Sequence, residues 1–109
     1  MMRKLFTECP VEYTATLIAS KWKVIILREL IDGTKRYNEL TRNVVGISAK
    51  VLTQNLRELE EDGILTRKVY PVVPPKVEYT LSKKGNDLKP VIEAMRTFGL
   101  KYKDKEKLK

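Results

Sequence analysis

Apolar and polar positions follow a helical period over residues 47–63, and the rest of the chain is arranged around that stretch. Ala49, Leu52, Leu56 and Leu59 recur at three- and four-residue spacing, which predicts one apolar helix face. Ser48 is a good N-cap and Gly63 a good stop. The opposite face carries Lys50, Thr53, Gln54 and Arg57. With Ser48, these are side chains of the kinds that reach phosphates and base edges. Cations lie in the first two-thirds of the stretch, while Glu58, Glu60, Glu61 and Asp62 crowd its end. That end runs against the helix dipole. It suits a helix that enters a groove by its N-terminal part, with a solvated acidic run pointing away from phosphates. On this stretch alone, an ordinary amphipathic helix is an equally good reading.

The same periodicity predicts the elements upstream. Cys9-Pro10 opens a helix, because proline at the first helical position needs no N–H partner. Val11, Leu17 and Ile18 give it an apolar side. Residues 22–30 form a second helix, whose Trp22, Ile25, Ile26, Leu27 and Leu30 are too apolar for the surface. Asp32-Gly33 stops it. Residues 35–37 are a short extended piece. Asn38 then caps a brief helix over residues 39–44, with Leu40 and Val44 inward. Val45-Gly46-Ile47 turns the chain into the next helix, which makes a helix-turn-helix.

After Gly63 the period becomes two. Leu65, Arg67 and Val69 alternate with Thr66 and Lys68, and Val77, Tyr79 and Leu81 alternate with Glu78 and Thr80. These are the strands of a hairpin whose tip, residues 71–76, holds the prolines that a ladder would reject. A helix-turn-helix followed by a basic-edged hairpin predicts a winged helix. Ser82 then caps a last helix with a stripe of Leu88, Val91, Met95, Phe98 and Tyr102. Pro90 should kink or restart it. Residues 101–109 read as a frayed, charged tail. The expected class is α+β, mainly helical. It forms one domain over residues 1–109, with the helix-turn-helix at about 38–62, the wing at about 64–82 and the last helix at about 83–103.

Charge sharpens the picture. The chain has a formal net charge of +8, no His and one Cys. Residues 1–66 hold 10 Lys/Arg against 9 Asp/Glu, whereas residues 67–109 hold 12 against 5. A basic surface implies an anionic partner, such as nucleic acid. Lys35, Arg36, Arg67, Lys68 and Lys76 are the candidate contacts to a DNA backbone, with Tyr37 beside them. Without His, the commonest general base is missing. There is no Cys/His cluster for a metal and no glycine-rich phosphate loop, so neither an enzyme nor a cofactor is expected. No apolar run is long enough to span a membrane and no signal peptide is evident, which points to the cytoplasm.

Two features remain. The stripe of the last helix either caps the chain's own core or pairs with a second copy. A symmetric dimer built on Leu88, Val91, Met95 and Phe98, with the first helix beside them, would present two recognition helices to two half-sites. Cys9, at a helix N-terminus, sits where the dipole favours a thiolate, although Glu8 and Glu12 oppose it. It is a candidate sensing thiol. The other reading is a small, half-buried apolar side chain.

The chain resembles the HxlR-type winged-helix transcriptional regulators, relatives of the MarR group. The resemblance is carried by Cys9-Pro10-Val11-Glu12, Lys21-Trp22, Ile26-Leu27-Arg28-Glu29-Leu30, Arg36-Tyr37-Asn38-Glu39-Leu40, Gly46-Ile47-Ser48, Leu56-Arg57-Glu58-Leu59-Glu60-Glu61-Asp62-Gly63 and Val73-Pro74-Pro75-Lys76-Val77-Glu78-Tyr79. It implies a homodimeric regulator of double-stranded DNA with a palindromic operator. Terminal helices would build the dimer, and a wing would lie beside the groove. Some members sense oxidants or electrophiles through the cysteine that Cys9 matches. A winged helix used as a protein-interaction module, with only weak non-specific DNA affinity, is the alternative.

Overall fold

Capping residues set the helix boundaries. In the computed structural model, which describes residues 7–106, Cys9 caps α1 (Pro10–Leu17) and Ser20 caps α2 (Lys21–Ile31). The Lys23 N–H donates to Ser20 Oγ at 3.0 Å, which satisfies one of the orphan donors of the first turn. Strand β1 (Lys35–Arg36) leads straight into α3 (Tyr37–Asn43). The extended piece is therefore shorter than expected, and the cap is Arg36 rather than Asn38. An arginine side chain has no acceptor to offer. Glu39 closes the end instead, its Oε1 accepting the Arg36 N–H at 2.8 Å.

Gly46, at a φ of +87°, makes the turn into α4 (Ala49–Glu61). The Val51 N–H donates to Ser48 Oγ at 3.1 Å, as a serine cap predicts. Gly63, at a φ of +76°, ends the helix. Strands β2 (Leu65–Tyr70) and β3 (Lys76–Leu81) form the hairpin, and β1 adds to the free side of β3, so the antiparallel order is β1-β3-β2. The tip contains a cis Val73–Pro74 bond.

The last helix is two helices. A short α5 (Lys83–Asn86), capped by Ser82, gives way to α6 (Lys89–Glu106). Pro90 lies in the first turn of α6, where its missing N–H has no partner to lose. It marks a restart, not an internal kink. The helix continues to Glu106, through residues expected to fray; residues 1–6 and 107–109 lie outside the described residues.

The core joins α2, α3, α4 and the base of the hairpin. Ile26, Leu27, Leu30, Leu40, Val44, Leu52, Leu56, Leu59, Ile64 and Leu65 are all buried. Each such side chain contributes about 1.5–3 kcal/mol relative to exposure. Three apolar assignments are corrected. Val11 is 77 % exposed, because α1 turns Leu17 inward instead. Ala49, at the first position of α4, is also exposed, and Asn55 takes the fourth place on the buried face. Leu88 joins Ile92 in the chain's own core and so is not available to a second copy.

Candidate nucleic-acid interface

Lys50, Thr53, Gln54 and Arg57 are all exposed along one side of α4, because the opposite side is committed to Leu52, Leu56 and Leu59. Ser48 is exposed at the N-terminus of the same helix. The helix is held against its neighbours by polar links as well as by the core. Tyr37, at the start of α3, places its hydroxyl 3.0 Å from Thr53 Oγ1 and donates to the Ala49 carbonyl at 3.3 Å. Tyr37 therefore braces α4 through its hydroxyl.

A second pair of links comes from α2. Ser20 Oγ donates to Asn55 Oδ1 at 2.9 Å, and Asn55 Nδ2 donates to the Val51 carbonyl at 2.7 Å. One turn further on, Lys23 Nζ lies 2.6 Å from Glu58 Oε1, and the lysine side chain is only 3 % exposed. A buried ammonium without such a partner would cost several kcal/mol, so this contact fixes where α4 sits on α2.

The acidic end of α4 is therefore not a solvated run. Glu58 holds Lys23, and Glu60 lies 3.5 Å from Arg67 Nε on β2. Asp62 is buried, and its carbonyl accepts from Lys84 Nζ at 2.9 Å. Three of the four carboxylates bind α4 to α2 and the hairpin or lie within the fold. Paired charge at this end offsets the unfavourable dipole contact.

The strand register divides the candidate backbone contacts between two faces. Arg67 and Lys35 both pair with Tyr79 and share its face, and Arg67 and Tyr79 border α4 there. Lys68 and Arg36 pair with Glu78, and Lys76 with Tyr70, on the outer face. There Lys68 and Lys76 flank the Tyr70 ring, their Nζ atoms 4.8 and 4.2 Å from its centroid. Lys76 also lies 3.7 Å from Glu78. On the inner face, Thr53, Arg57, Glu60, Arg67 and Tyr79 line a cleft where the hairpin meets α4. Burial raises the Tyr79 phenol above its usual pKa, with nearby Arg67 opposing that shift.

Away from this face, Met95, Phe98 and Leu100 on α6 and Val11 on α1 are exposed, and Val91 is half-buried. Pro10, Ala15, Ile18, Val91 and Met95 line a shallow apolar groove between the two helices. Cys9 is exposed at the N-terminus of α1, its Sγ accepting the Glu12 N–H at 3.4 Å. Among the described residues, no group of acidic or thiol side chains could hold a metal, and no helix is long and apolar enough to cross a membrane.

Residues that sequence patterning missed are those with distant partners. Ser20, Lys23, Asn55 and Glu58 carry no local signal of pairing. Only the repeated three-residue spacing, Ser20 to Lys23 and Asn55 to Glu58, hints that two helix faces match.

Comparison with known proteins agrees with this geometry. The HTH-type transcriptional regulator YdeP of Bacillus subtilis is 52% identical over 100 residues, covering 92% of this chain and 78% of that protein. The redox regulator HypR in its reduced form superposes with a TM-score of 0.85 at 44% identity, covering 93% of this chain and 100% of that one. Its oxidised form gives a TM-score of 0.81 at 48% identity, covering 85% and 96%. Residues 17–107 match the HxlR-like helix-turn-helix family, and the chain belongs to it.

Proposed function

We propose that this protein is a transcriptional regulator that binds double-stranded DNA as a homodimer. One observation carries the reading: α4 presents Lys50, Thr53, Gln54 and Arg57 together on its exposed side while its other side is locked into the fold. The helix lies beside a basic hairpin, so both parts of a winged-helix contact are present. In this arrangement α4 enters the major groove, where Gln54 and Arg57 read base edges and Lys50 and Ser48 meet phosphates. Lys68, Lys76 and Arg36 attract the backbone from the outer face of the sheet. Arg67 and Lys35 do so from the inner face, where the Arg67 Nε also lies 3.5 Å from Glu60.

The exposed apolar side chains of α1 and α6 join two copies, which suits a palindromic operator. The names of the relatives support regulation, and those of the HypR structures support redox control. Cys9 is the thiol positioned for it: exposed, at a helix N-terminus and the only cysteine of the chain. Its disulfide partner would therefore lie outside this chain. The cytoplasm, where DNA is accessible and thiols are kept reduced, is the expected site of action.

The division of roles is tested by affinity for specific and random duplexes across a salt series. Gln54→Ala should cost about 1–3 kcal/mol on the specific duplex and little on random DNA. Lys76→Ala should weaken both and reduce the salt slope by about one. Equal losses in the two variants on both DNAs would refute the assignment. Weak binding without any preference would favour a protein-interaction module.

A further inference from the structure

The Glu58 carboxylate touches a buried cation with one oxygen and a base-reading side chain with the other. Oε1 lies 2.6 Å from Lys23 Nζ. Oε2 accepts from Gln54 Nε2 at 3.5 Å. A carboxylate only accepts and an ammonium only donates, so the chain of contacts has a fixed polarity. It determines which end of the Gln54 amide faces Glu58. The nitrogen turns inward with one N–H. Its second N–H and the carbonyl oxygen then lie side by side, which is the edge that pairs with N7 and N6 of adenine. Lys23 cannot follow solvent or salt, because its side chain is 3 % exposed on the inner side of α2. The Ser20–Asn55 hydrogen bond one turn away fixes the rotation of α4 about its axis.

We propose that Glu58, anchored by Lys23, is a positioning residue for base recognition: it orients the Gln54 amide and so sets a preference for adenine at the base pair Gln54 reads. The proposal rests on the DNA-binding reading of α4. It assigns part of the specificity to two residues that touch no DNA.

The test compares duplexes selected from random sequence by wild type, Glu58→Gln, Gln54→Ala and the double variant. Glutamine at 58 nearly keeps the shape and can still accept from Lys23 with its oxygen. It then presents an N–H to Gln54, which must turn its own carbonyl inward and reverse the reading edge. The adenine preference that Gln54→Ala abolishes should fall at least about fivefold in Glu58→Gln. The double variant should match Gln54→Ala alone. Lys23→Met, which removes the buried cation from beside the carboxylate, should weaken the same preference about twofold or more.

Adenine preference unchanged in Glu58→Gln would overturn the proposal. So would an affinity loss of equal size with and without Gln54, which is what a purely structural role produces. Should wild type select no sequence at all, the DNA-binding reading itself fails, and that outcome is distinct from the other two. Circular dichroism on each variant confirms that folded proteins are compared.

Discussion

Phe98 offers the most direct test of how two copies join. Phe98 is 69 % exposed on α6, where Met95 and Leu100 are exposed as well. A phenylalanine buries about 150–250 Å² when fully covered. Covering half of what is now exposed would remove about 50–85 Å² from water in each copy, or about 1.3–2.2 kcal/mol. A two-fold interface contains the residue twice, so Phe98→Ala should cost the dimer about 2.5–4 kcal/mol. That corresponds to a rise in dimer Kd of about sixtyfold to seven-hundredfold.

Within one chain the same substitution loses the ring contact with Tyr102, whose centroid is 5.1 Å away. Such a pair one turn apart is worth about 0.2–0.5 kcal/mol. Chain stability and dimer affinity therefore respond on different scales and can be separated. Sedimentation equilibrium over a dilution series gives the Kd, and circular dichroism at the same concentrations reports the fold. A Kd within threefold of wild type would refute α6 as the joining surface. A large loss of helix at concentrations where wild type is folded would show instead that Phe98 supports the chain itself.

Three other outcomes follow from the geometry. A Cβ at Gly85 would collide with the Ile64 carbonyl oxygen, so Gly85→Ala should lower stability by about 1–3 kcal/mol in a denaturant titration, and no change would contradict the close approach of α5 to the Ile64 backbone. The neutral Tyr79 phenol is favoured in the fold, so native protein holds that proton more tightly than the unfolded chain; its contribution is intact below the ordinary tyrosine range and declines as pH rises through it. Wild type should therefore lose more stability than Tyr79→Phe between about pH 9 and 11, and parallel losses would sink that assignment. Oxidant treatment should alter DNA affinity in wild type and leave Cys9→Ser unaffected; the same response in both would remove Cys9 as the switch.

Much of this architecture is readable from local pattern. The spacing of Leu52, Leu56 and Leu59 defines the buried side of α4, and by exclusion the exposed one. The change to period two after Gly63 defines the hairpin, and Pro71, Pro74 and Pro75 mark its tip. These signals are local because they come from backbone geometry and one-sided burial. Polar pairing is not local. Nothing in the local pattern marks Asn55 for burial until Ser20 is brought beside it, or Lys23 until Glu58 meets its charge. The acidic end of α4 misleads for the same reason, since its partners lie on α2 and β2. Alternation already separates Arg67 from Lys68, but whether Lys76 shares a face with Lys68 depends on strand register, which a one-residue shift would reverse. Leu88 differs again. Its spacing fits the stripe, but the break between α5 and α6 turns it into the core while Phe98 faces out.

The central claim is that two copies of α4 read one DNA site. Selection of bound sequences from random duplex DNA tests it most directly. Two copies reading one site should enrich a palindrome with half-sites separated by about one helical turn, or a multiple of it, and Gln54→Ala should lose the enrichment within each half-site. Absence of enrichment, or a single unrepeated site that Gln54→Ala leaves unchanged, would contradict it.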